Sequence, residues 1–158
     1  MDKQYKKSVS AYHQTLRTEI NSRPETVFEY LGTTKGISQW FPELSFKETD
    51  NGLKLLFDLG DGTFEEMDVL IYEPSSRIKF TWDIGEVDIT LKENNDQTIF
   101  TLQEKMPLEF ERTADDFTGW RFQVGNVKHL IEEGYTQPFD RDQIKIEEQK
   151  LQEKLNSI

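Results

Sequence analysis

The sequence predicts an α+β domain in which a run of antiparallel strands precedes one long helix. Two observations carry this prediction. Between about residues 53 and 92, segments of strand length alternate apolar and polar residues and are separated by turn-forming residues. Later in the chain, apolar residues recur at helical spacing up to Gly134, a natural helix stop. The length of 158 residues suits a single domain with a sizeable core.

Turn signals divide the strand region. Asn51-Gly52 predicts a two-residue hairpin turn, because such turns place both residues at positive φ. Further turns are predicted at Gly60-Asp61-Gly62, Glu73-Pro74-Ser75-Ser76, Gly85-Glu86 and Asn94-Asn95-Asp96.

Period-two alternation predicts which side chains face the core. Strands of this kind are buried on one face and solvated on the other. The predicted core-facing sets are Leu53, Leu55, Phe57 and Leu59; Met67, Val69 and Ile71; Ile78, Phe80 and Trp82; and Val87, Ile89 and Leu91. Phe64, Leu70 and Tyr72 fall on the opposite face of their strand, which suggests partial cover on both sides.

An opening strand is predicted at about His13–Asn21, followed by two short helices. Ser22-Arg23-Pro24-Glu25 has the pattern of a capping box with proline in the first turn. Thr34 is the predicted cap of the second helix, which Pro42 ends.

The long helix is predicted to begin at Thr113-Ala114-Asp115-Asp116, a second capping-box pattern. Its apolar stripe comprises Phe117, Trp120, Val124, Val127 and Ile131. Gly119 and Gly125 lie inside the helix, where each costs about 1 kcal/mol relative to alanine. A close backbone approach, or space left over the sheet, would explain their presence.

The chain divides into an N-terminal extension (1–12), a central domain (13–134) and a helical tail (135–158). Asp140 starts the tail helix as its cap, and Ile144, Leu151, Leu155 and Ile158 give it a weak apolar face. Packing back onto its own domain is the favoured role, which implies a monomer. Pairing with another chain, as a weak homodimer, is the alternative.

Composition excludes several function classes. The absence of cysteine excludes disulfides, cysteine zinc sites and thiol nucleophiles, and fits a reducing, cytoplasmic location. The net charge of −11 argues against binding nucleic acid or an anionic membrane surface. The N-terminus lacks the apolar core of a signal peptide, and no apolar run is long enough to span a bilayer.

Four local motifs resemble the START-like (SRPBCC) superfamily, in the branch of the C-terminal domain of the activator of the heat-shock chaperone ATPase. They occur in the family's order over about residues 15–134. The motifs are Ile20–Phe28 at the strand-to-helix opening, Gly36–Phe41 with its Trp-Phe pair, Glu73-Pro74 followed by Ile78–Trp82, and Gly119-Trp120 with Val127–Gly134. The resemblance implies a helix-grip fold, in which a curved antiparallel sheet wraps around a long C-terminal helix and two short helices follow the first strand.

The resemblance also implies a cavity between the sheet and the long helix. Aromatic residues make up 12% of the chain, and such walls are typical of apolar ligand pockets. The predicted ligand-binding residues are Trp40, Phe57, Phe80, Trp82, Phe117, Trp120 and Val124. The alternative is that these side chains are simply core.

Other candidate chemistry is sparse. Three carboxylates cluster on one strand: Glu65, Glu66 and Asp68. They either carry out acid–base catalysis or form a solvated strand face, and the solvated face is the favoured interpretation. His13 and His129 are the two histidines, and no pattern brings them together. Lys128 borders the helix stripe and either meets an acidic ligand group or extends to solvent. The sequence thus predicts no catalytic set, no metal site and no cofactor.

Three functions follow in order of preference. The first is binding of a hydrophobic small molecule, such as a lipid or polyketide-like compound, in the implied cavity. The second is a stress-related co-chaperone or regulatory protein that binds a heat-shock ATPase or another protein partner. The third is a cyclase- or hydrolase-type enzyme, which requires a polar group of perturbed pKa inside the cavity.

Overall fold

A computed structural model describes all residues, Met1–Ile158. Eight strands form one antiparallel sheet, and four helices complete the chain. The elements are β1 (Asp2–Lys7), β2 (Ala11–Ile20), α1 (Pro24–Gly32), α2 (Thr34–Ile37), β3 (Leu44–Thr49), β4 (Gly52–Asp58), β5 (Phe64–Glu73), β6 (Arg77–Trp82), β7 (Gly85–Asn94), β8 (Gln97–Pro107), α3 (Thr113–Glu133) and α4 (Arg141–Asn156). None of the helices combines the length and the apolar content that crossing a membrane requires.

The order of strands in the sheet is β1-β2-β8-β7-β6-β5-β4-β3. Strands β3 to β8 form a meander. Strand β2 precedes the two short helices and pairs with β8, the last strand of the meander. Because neighbouring strands are antiparallel, β4, β6 and β8 run in the same direction and end at one edge of the domain. This edge holds Phe57 and Trp82 and adjoins the start of α3.

A β-bulge in β5 corrects the predicted facing of that strand. Val69 pairs with Phe80, but Ile71 pairs with Lys79 and Tyr72 with Ile78. The extra residue between Val69 and Ile71 reverses the alternation, as bulges do. Tyr72 therefore packs edge-on against Phe28, with centroids 5.3 Å apart, while Leu70 is exposed.

The turns occur where predicted, with local differences. Gly52 has φ +104°, but Asn51 does not share the positive φ expected of it. The turn before β7 uses Asp83-Ile84, so Gly85 begins the strand instead of the turn. A β-carbon on Gly85 would lie 2.2 Å from the Lys105 carbonyl oxygen, which explains the glycine by close backbone approach. Leu59, predicted to face the core, lies past the end of β4 and is exposed.

Neither predicted capping box forms. Arg23 and Arg112 are the N-cap residues of α1 and α3, and neither makes a side-chain cap bond. The Thr113 hydroxyl donates to the Phe110 carbonyl, and Asp116 Oδ1 accepts from the Trp82 indole, outside the helix. The cap of α2 is Thr33, one residue before the predicted Thr34, and its Oγ1 accepts from the Gly36 amide at 3.0 Å.

Three predicted helix boundaries are confirmed: the start of α1, the end of α3 and the start of α4. Pro24 occupies the first turn of α1, and Gly134 ends α3 in the left-handed conformation at φ +89°. The Asp140 carboxylate caps α4 by accepting from the amides of Asp142 and Gln143, at 3.0 and 3.2 Å.

The terminal segments both pack onto the domain. Strand β1 lies within the predicted N-terminal extension (1–12) and pairs with β2 along its whole length. Leu151 and Leu155 of α4 are buried against Met106, Ala114 and Phe117. The tail therefore covers its own domain, whereas Ile158, the last residue of its predicted apolar face, is 42% exposed.

Gly119 is not required by close packing. A β-carbon built there has no atom within 4 Å. We expect Gly119→Ala to raise the free energy of unfolding by about 1 kcal/mol, because alanine reduces the backbone entropy that is lost on helix formation. Urea unfolding followed by circular dichroism measures this. A loss of stability would show that the glycine has a packing role.

Candidate functional site

Six aromatic rings form one cluster between the sheet and α3. Trp120 is at its centre and contacts the rings of Trp40, Phe41, Phe80 and Trp82, with centroids 5.0–6.5 Å apart. Phe57 completes the cluster through Phe41 and Trp82, at 5.9 and 6.1 Å. Most of these pairs have the edge-to-face geometry that aromatic quadrupoles favour.

The cluster is closed at one end and open at the other. Trp40, Phe80 and Trp120 are at most 3% exposed, whereas Phe57 and Trp82 are half-buried. The half-buried rings lie at the edge where β4 and β6 end. Three exposed apolar side chains follow strand ends at the same edge: Leu59 after β4, Ile84 after β6 and Leu108 after β8. We call these three residues the apolar rim.

The three indole N–H groups have different environments. Trp40 Nε1 donates to the Tyr30 carbonyl at 2.8 Å, and Trp82 Nε1 donates to Asp116 Oδ1 at 2.9 Å. Trp120 Nε1 is buried and has no hydrogen-bond acceptor. A buried polar group without a hydrogen-bond partner destabilises the folded state by about 1–3 kcal/mol. An acceptor that reached this N–H group would recover part of that free energy.

A chain of polar side chains leads inward from Trp82. Its indole donates to Asp116 Oδ1, and the Asp116 carboxyl group lies close enough to that of Glu104 to raise its pKa. Asp116 Oδ2 and Glu104 Oε2 are both buried and have no donor. Gln14 Nε2 donates to Glu104 Oε1 at 3.3 Å and to the Phe117 carbonyl at 3.1 Å. The Tyr5 hydroxyl closes the chain by donating to Gln14 Oε1 at 2.7 Å. Gln14 and Glu104, which pair directly across β2 and β8, are at most 1% exposed.

Burial raises the pKa of Glu104 well above its usual range. The hydrogen bond and the negative charge of Asp116 raise this pKa further, and the hydrogen bond from Gln14 lowers it. Burial also raises the pKa of the Tyr5 hydroxyl to about 12. Two carboxyl groups in contact share a proton readily, because only one of them is then charged. The raised pKa of Glu104 therefore has two causes, its burial and the neighbouring carboxyl group of Asp116.

The seven predicted site residues divide into two groups. Trp40, Phe57, Phe80, Trp82, Trp120 and Val124 belong to the core that contains the aromatic cluster. Phe117 is buried in a second core, against residues such as Met106 and Leu155. The structure places Phe117 under α4 because the tail helix covers that face of α3.

The other candidate groups do not belong to the polar chain, although Glu65 pairs with Phe57 across β4 and β5. Glu65, Glu66 and Asp68 are exposed on β5. His13 is 3.0 Å from the Ser8 hydroxyl, and His129 Nδ1 is 2.8 Å from the Tyr135 carbonyl oxygen. Lys128 Nζ binds Glu132 at 2.8 Å on the surface of α3.

Sequence reasoning missed the carboxyl pair. Glu104 stands between Leu102 and Met106 at alternate positions of β8, which is a polar residue on the apolar face of a strand. Gln14 breaks the buried face of β2 in the same way. That interruption was the available signal. Asp116 gave no such signal, because its position in the first helical turn resembles a cap.

Two clefts lie outside the aromatic cluster. One, of about 510 Å³, is lined by the outer face of α3, the loop before α4 and Lys3 of β1. A second, of about 320 Å³, adjoins it and is lined by Tyr5, Arg121 and the side of α4. No ring of the aromatic cluster lines either cleft.

Comparison with known proteins places the fold. No family model and no curated protein matches the chain. A conserved protein of unknown function from Enterococcus faecalis, EF2215, matches with a TM-score of 0.88 and 28% identity, over 98% of this chain and 91% of that one. DynU16, of the dynemicin biosynthetic locus, matches with a TM-score of 0.64 and 23% identity, over 80% of this chain and 49% of its own.

The Aha1 dimer from Colwellia psychrerythraea matches with a TM-score of 0.62 and 18% identity, over 77% of this chain and 97% of the other. At identities this low, the similarity to DynU16 and Aha1 shows a shared architecture only. The architecture is an antiparallel sheet around one long C-terminal helix, with two short helices inserted after the second strand. The chain therefore has the helix-grip, START-like fold that its motifs predicted.

Proposed function

We propose that the protein binds an apolar small molecule that carries an acceptor oxygen, at the open end of the aromatic cluster. The observation that carries this proposal is the unpaired, buried N–H of Trp120 among five other aromatic rings. A ligand with a carbonyl or ether oxygen would satisfy this donor while its rings stack on Trp82. Ligand pockets combine apolar walls with a few placed polar groups in this way.

The ligand enters at the apolar rim. The rings of the cluster contact one another, so the ligand has to displace Phe57, a half-exposed ring whose centroid lies 6.1 Å from that of Trp82. Exposed apolar side chains at the rim would be covered on binding, and burial of apolar surface drives association at about 25 cal/mol per Å². The costs of immobilising the ligand and the rings reduce the net gain.

The Asp116–Glu104 pair supplies the polar inner wall. Asp116 accepts the hydrogen bond of the Trp82 indole, and burial raises the pKa of Glu104 well above its usual range. DynU16 comes from a biosynthetic locus, which supports a role with a small organic molecule. The Aha1 neighbour and the motifs of the chaperone-activator branch support the alternative, a protein partner.

Flavone and 2-phenylnaphthalene form a matched test pair, since they share a shape but only flavone has acceptor oxygens. We expect flavone to quench tryptophan fluorescence with a micromolar Kd. Trp120→Phe is expected to weaken flavone binding about tenfold, because it removes a hydrogen bond worth about 1.4 kcal/mol. The same substitution leaves 2-phenylnaphthalene binding unchanged.

Trp82→Leu removes the stacking surface and is expected to weaken both compounds by at least tenfold. Phe122→Leu, a change outside the cluster, is the control and leaves both unaffected. Absence of flavone binding, or equal binding to all three variants, contradicts the proposal. Native mass spectrometry of protein purified from its own host then identifies the natural ligand class.

A further inference from the structure

The outer cleft of about 510 Å³ is built by segments at the two ends of the chain. Lys3 of β1 and Gln143 of α4 approach the outer face of α3, and Pro138 and Phe139 close the side. Its volume lies within the range of small-molecule sites. The aromatic cluster of the proposed function contacts the opposite face of α3, so the two sites are independent.

Gly125 forms an open part of this cleft. A β-carbon at this glycine would have no atom within 4 Å. The sequence is compatible with two explanations for this glycine, a close backbone approach or the provision of space. The structure excludes the close backbone approach. The missing side chain leaves space in the cleft, between Phe122 and the neighbouring turns of α3.

The cleft has an apolar side. Phe122 and Phe139 meet edge to face with centroids 6.0 Å apart, and Phe139 remains 41% exposed. Pro138 extends this side. An aromatic or aliphatic group placed over Gly125 would cover these surfaces.

The opposite side of the cleft is basic, although the chain as a whole carries −11. Lys3 has no carboxylate within 4 Å, while Arg121 Nη2 is 3.3 Å from Glu147. In the adjoining cleft, Lys150 shares the same Glu147 at 3.8 Å, and Lys154 lies over the Tyr5 ring. Across the two adjoining clefts, Glu147 therefore pairs with both Arg121 and Lys150, while Lys3 and Lys154 have no carboxylate within 4 Å.

The remaining carboxylate of the cleft is already bonded. Asp140 accepts the amides of Asp142 and Gln143 as the cap of α4. Burial lowers the pKa of Lys3, and the charge of nearby Arg121 lowers it further, while Glu147 opposes them. A negative group bound beside Lys3 would favour its charged form and oppose this lowering of its pKa.

We propose that the outer cleft binds an amphipathic organic anion, with its negative group between Lys3 and Arg121 and its apolar body over Gly125 against Phe122 and Phe139. The site recognises a carboxylate, sulfonate or phosphate joined to an apolar group. Net negative charge elsewhere on the surface makes this cleft the favoured position for such a ligand.

The test uses 8-anilinonaphthalene-1-sulfonate and its uncharged analogue N-phenyl-1-naphthylamine, followed by probe fluorescence on the full chain. We expect Gly125→Leu to raise the Kd of the sulfonate at least tenfold by filling the cleft. Lys3→Gln is expected to raise it three- to tenfold and to leave the uncharged analogue unchanged. Higher salt weakens the sulfonate selectively.

Gly119→Leu makes the same change at the other helical glycine and is the control for effects on the helix. Circular dichroism and urea unfolding establish that each variant is folded. Trp82→Leu separates this site from the aromatic cluster and leaves the sulfonate affinity unchanged. No sulfonate binding, binding that ignores both Gly125→Leu and Lys3→Gln, or binding lost in Trp82→Leu would each overturn the proposal.

Discussion

Replacement of Trp120 by alanine is expected to lower the free energy of unfolding by about 3–5 kcal/mol, the range for large aromatic-to-alanine changes in cores. The side chain is 3% exposed and contacts four other rings of the aromatic cluster. Its removal would leave a cavity between the sheet and α3 that these rings cannot fill without leaving their positions. Urea unfolding monitored by far-ultraviolet circular dichroism gives the value.

Two milder substitutions test the reason for this loss. Trp120→Phe should cost less than about 1.5 kcal/mol, because it retains most of the volume and Nε1 has no acceptor to lose. Trp40→Phe should cost about 1–3 kcal/mol more than Trp120→Phe, because it leaves the Tyr30 carbonyl without its 2.8 Å donor. If Trp120→Phe is as damaging as Trp120→Ala, the N–H has a partner within the protein.

This contrast separates stability from binding at one residue. Trp120→Phe is predicted to be well folded and yet to bind flavone about tenfold more weakly. A residue that served only as core would show the opposite relation, in which binding follows stability. The comparison therefore distinguishes a ligand-binding role for this aromatic residue from a role in core packing alone, the two alternatives that the sequence predicts.

Glu104 is expected to make stability fall as pH rises. Its folded-state pKa is raised, so between the ordinary glutamate pKa near 4.3 and the raised value the folded chain holds a proton that the unfolded chain has lost. The stabilisation from the protonated group is complete below pH 4.3 and is lost as pH rises through the folded pKa. The slope is at most about 1.4 kcal/mol per pH unit.

Glu104→Gln should flatten this pH dependence. The amide oxygen still accepts from Gln14, and the amide nitrogen supplies a donor for Asp116 Oδ2, which has none, so the site stays paired without a titrating group. At pH 8 the variant should be at least as stable as the wild type. Glu104→Ala, by contrast, should cost about 3 kcal/mol, since it opens a cavity and removes an acceptor from the buried Gln14 amide.

Glu65→Gln is the matched control, because Glu65 is exposed on β5 and its substitution removes the same formal charge. Its pH profile should parallel that of the wild type. Unfolding free energies at pH values from 4 to 8 decide the matter. A Glu104→Gln profile parallel to the wild type would show that Glu104 does not carry a proton in the folded state.

The local pattern of the sequence determined the architecture. Alternation in β6 and β7, the turn residues, and the stripe from Phe117 to Ile131 each act over a few residues, so they were readable without tertiary contacts. The motifs added the curvature of the sheet and the place of the two short helices. The edge strand β1 (Asp2–Lys7) was not predicted, because its sequence is mostly polar and its stability comes from pairing with β2.

Only the tertiary structure decided where the chemistry lies. Pairing of Gln14 with Glu104 joins residues 90 positions apart, and the bond from Trp82 to Asp116 joins a strand to a helix. The bulge in β5 and the covering of Phe117 by α4 likewise depend on contacts between distant elements. A period of two or of 3.6 residues assigns a side chain to a face, but burial, unpaired donors and shared protons arise from what packs against that face.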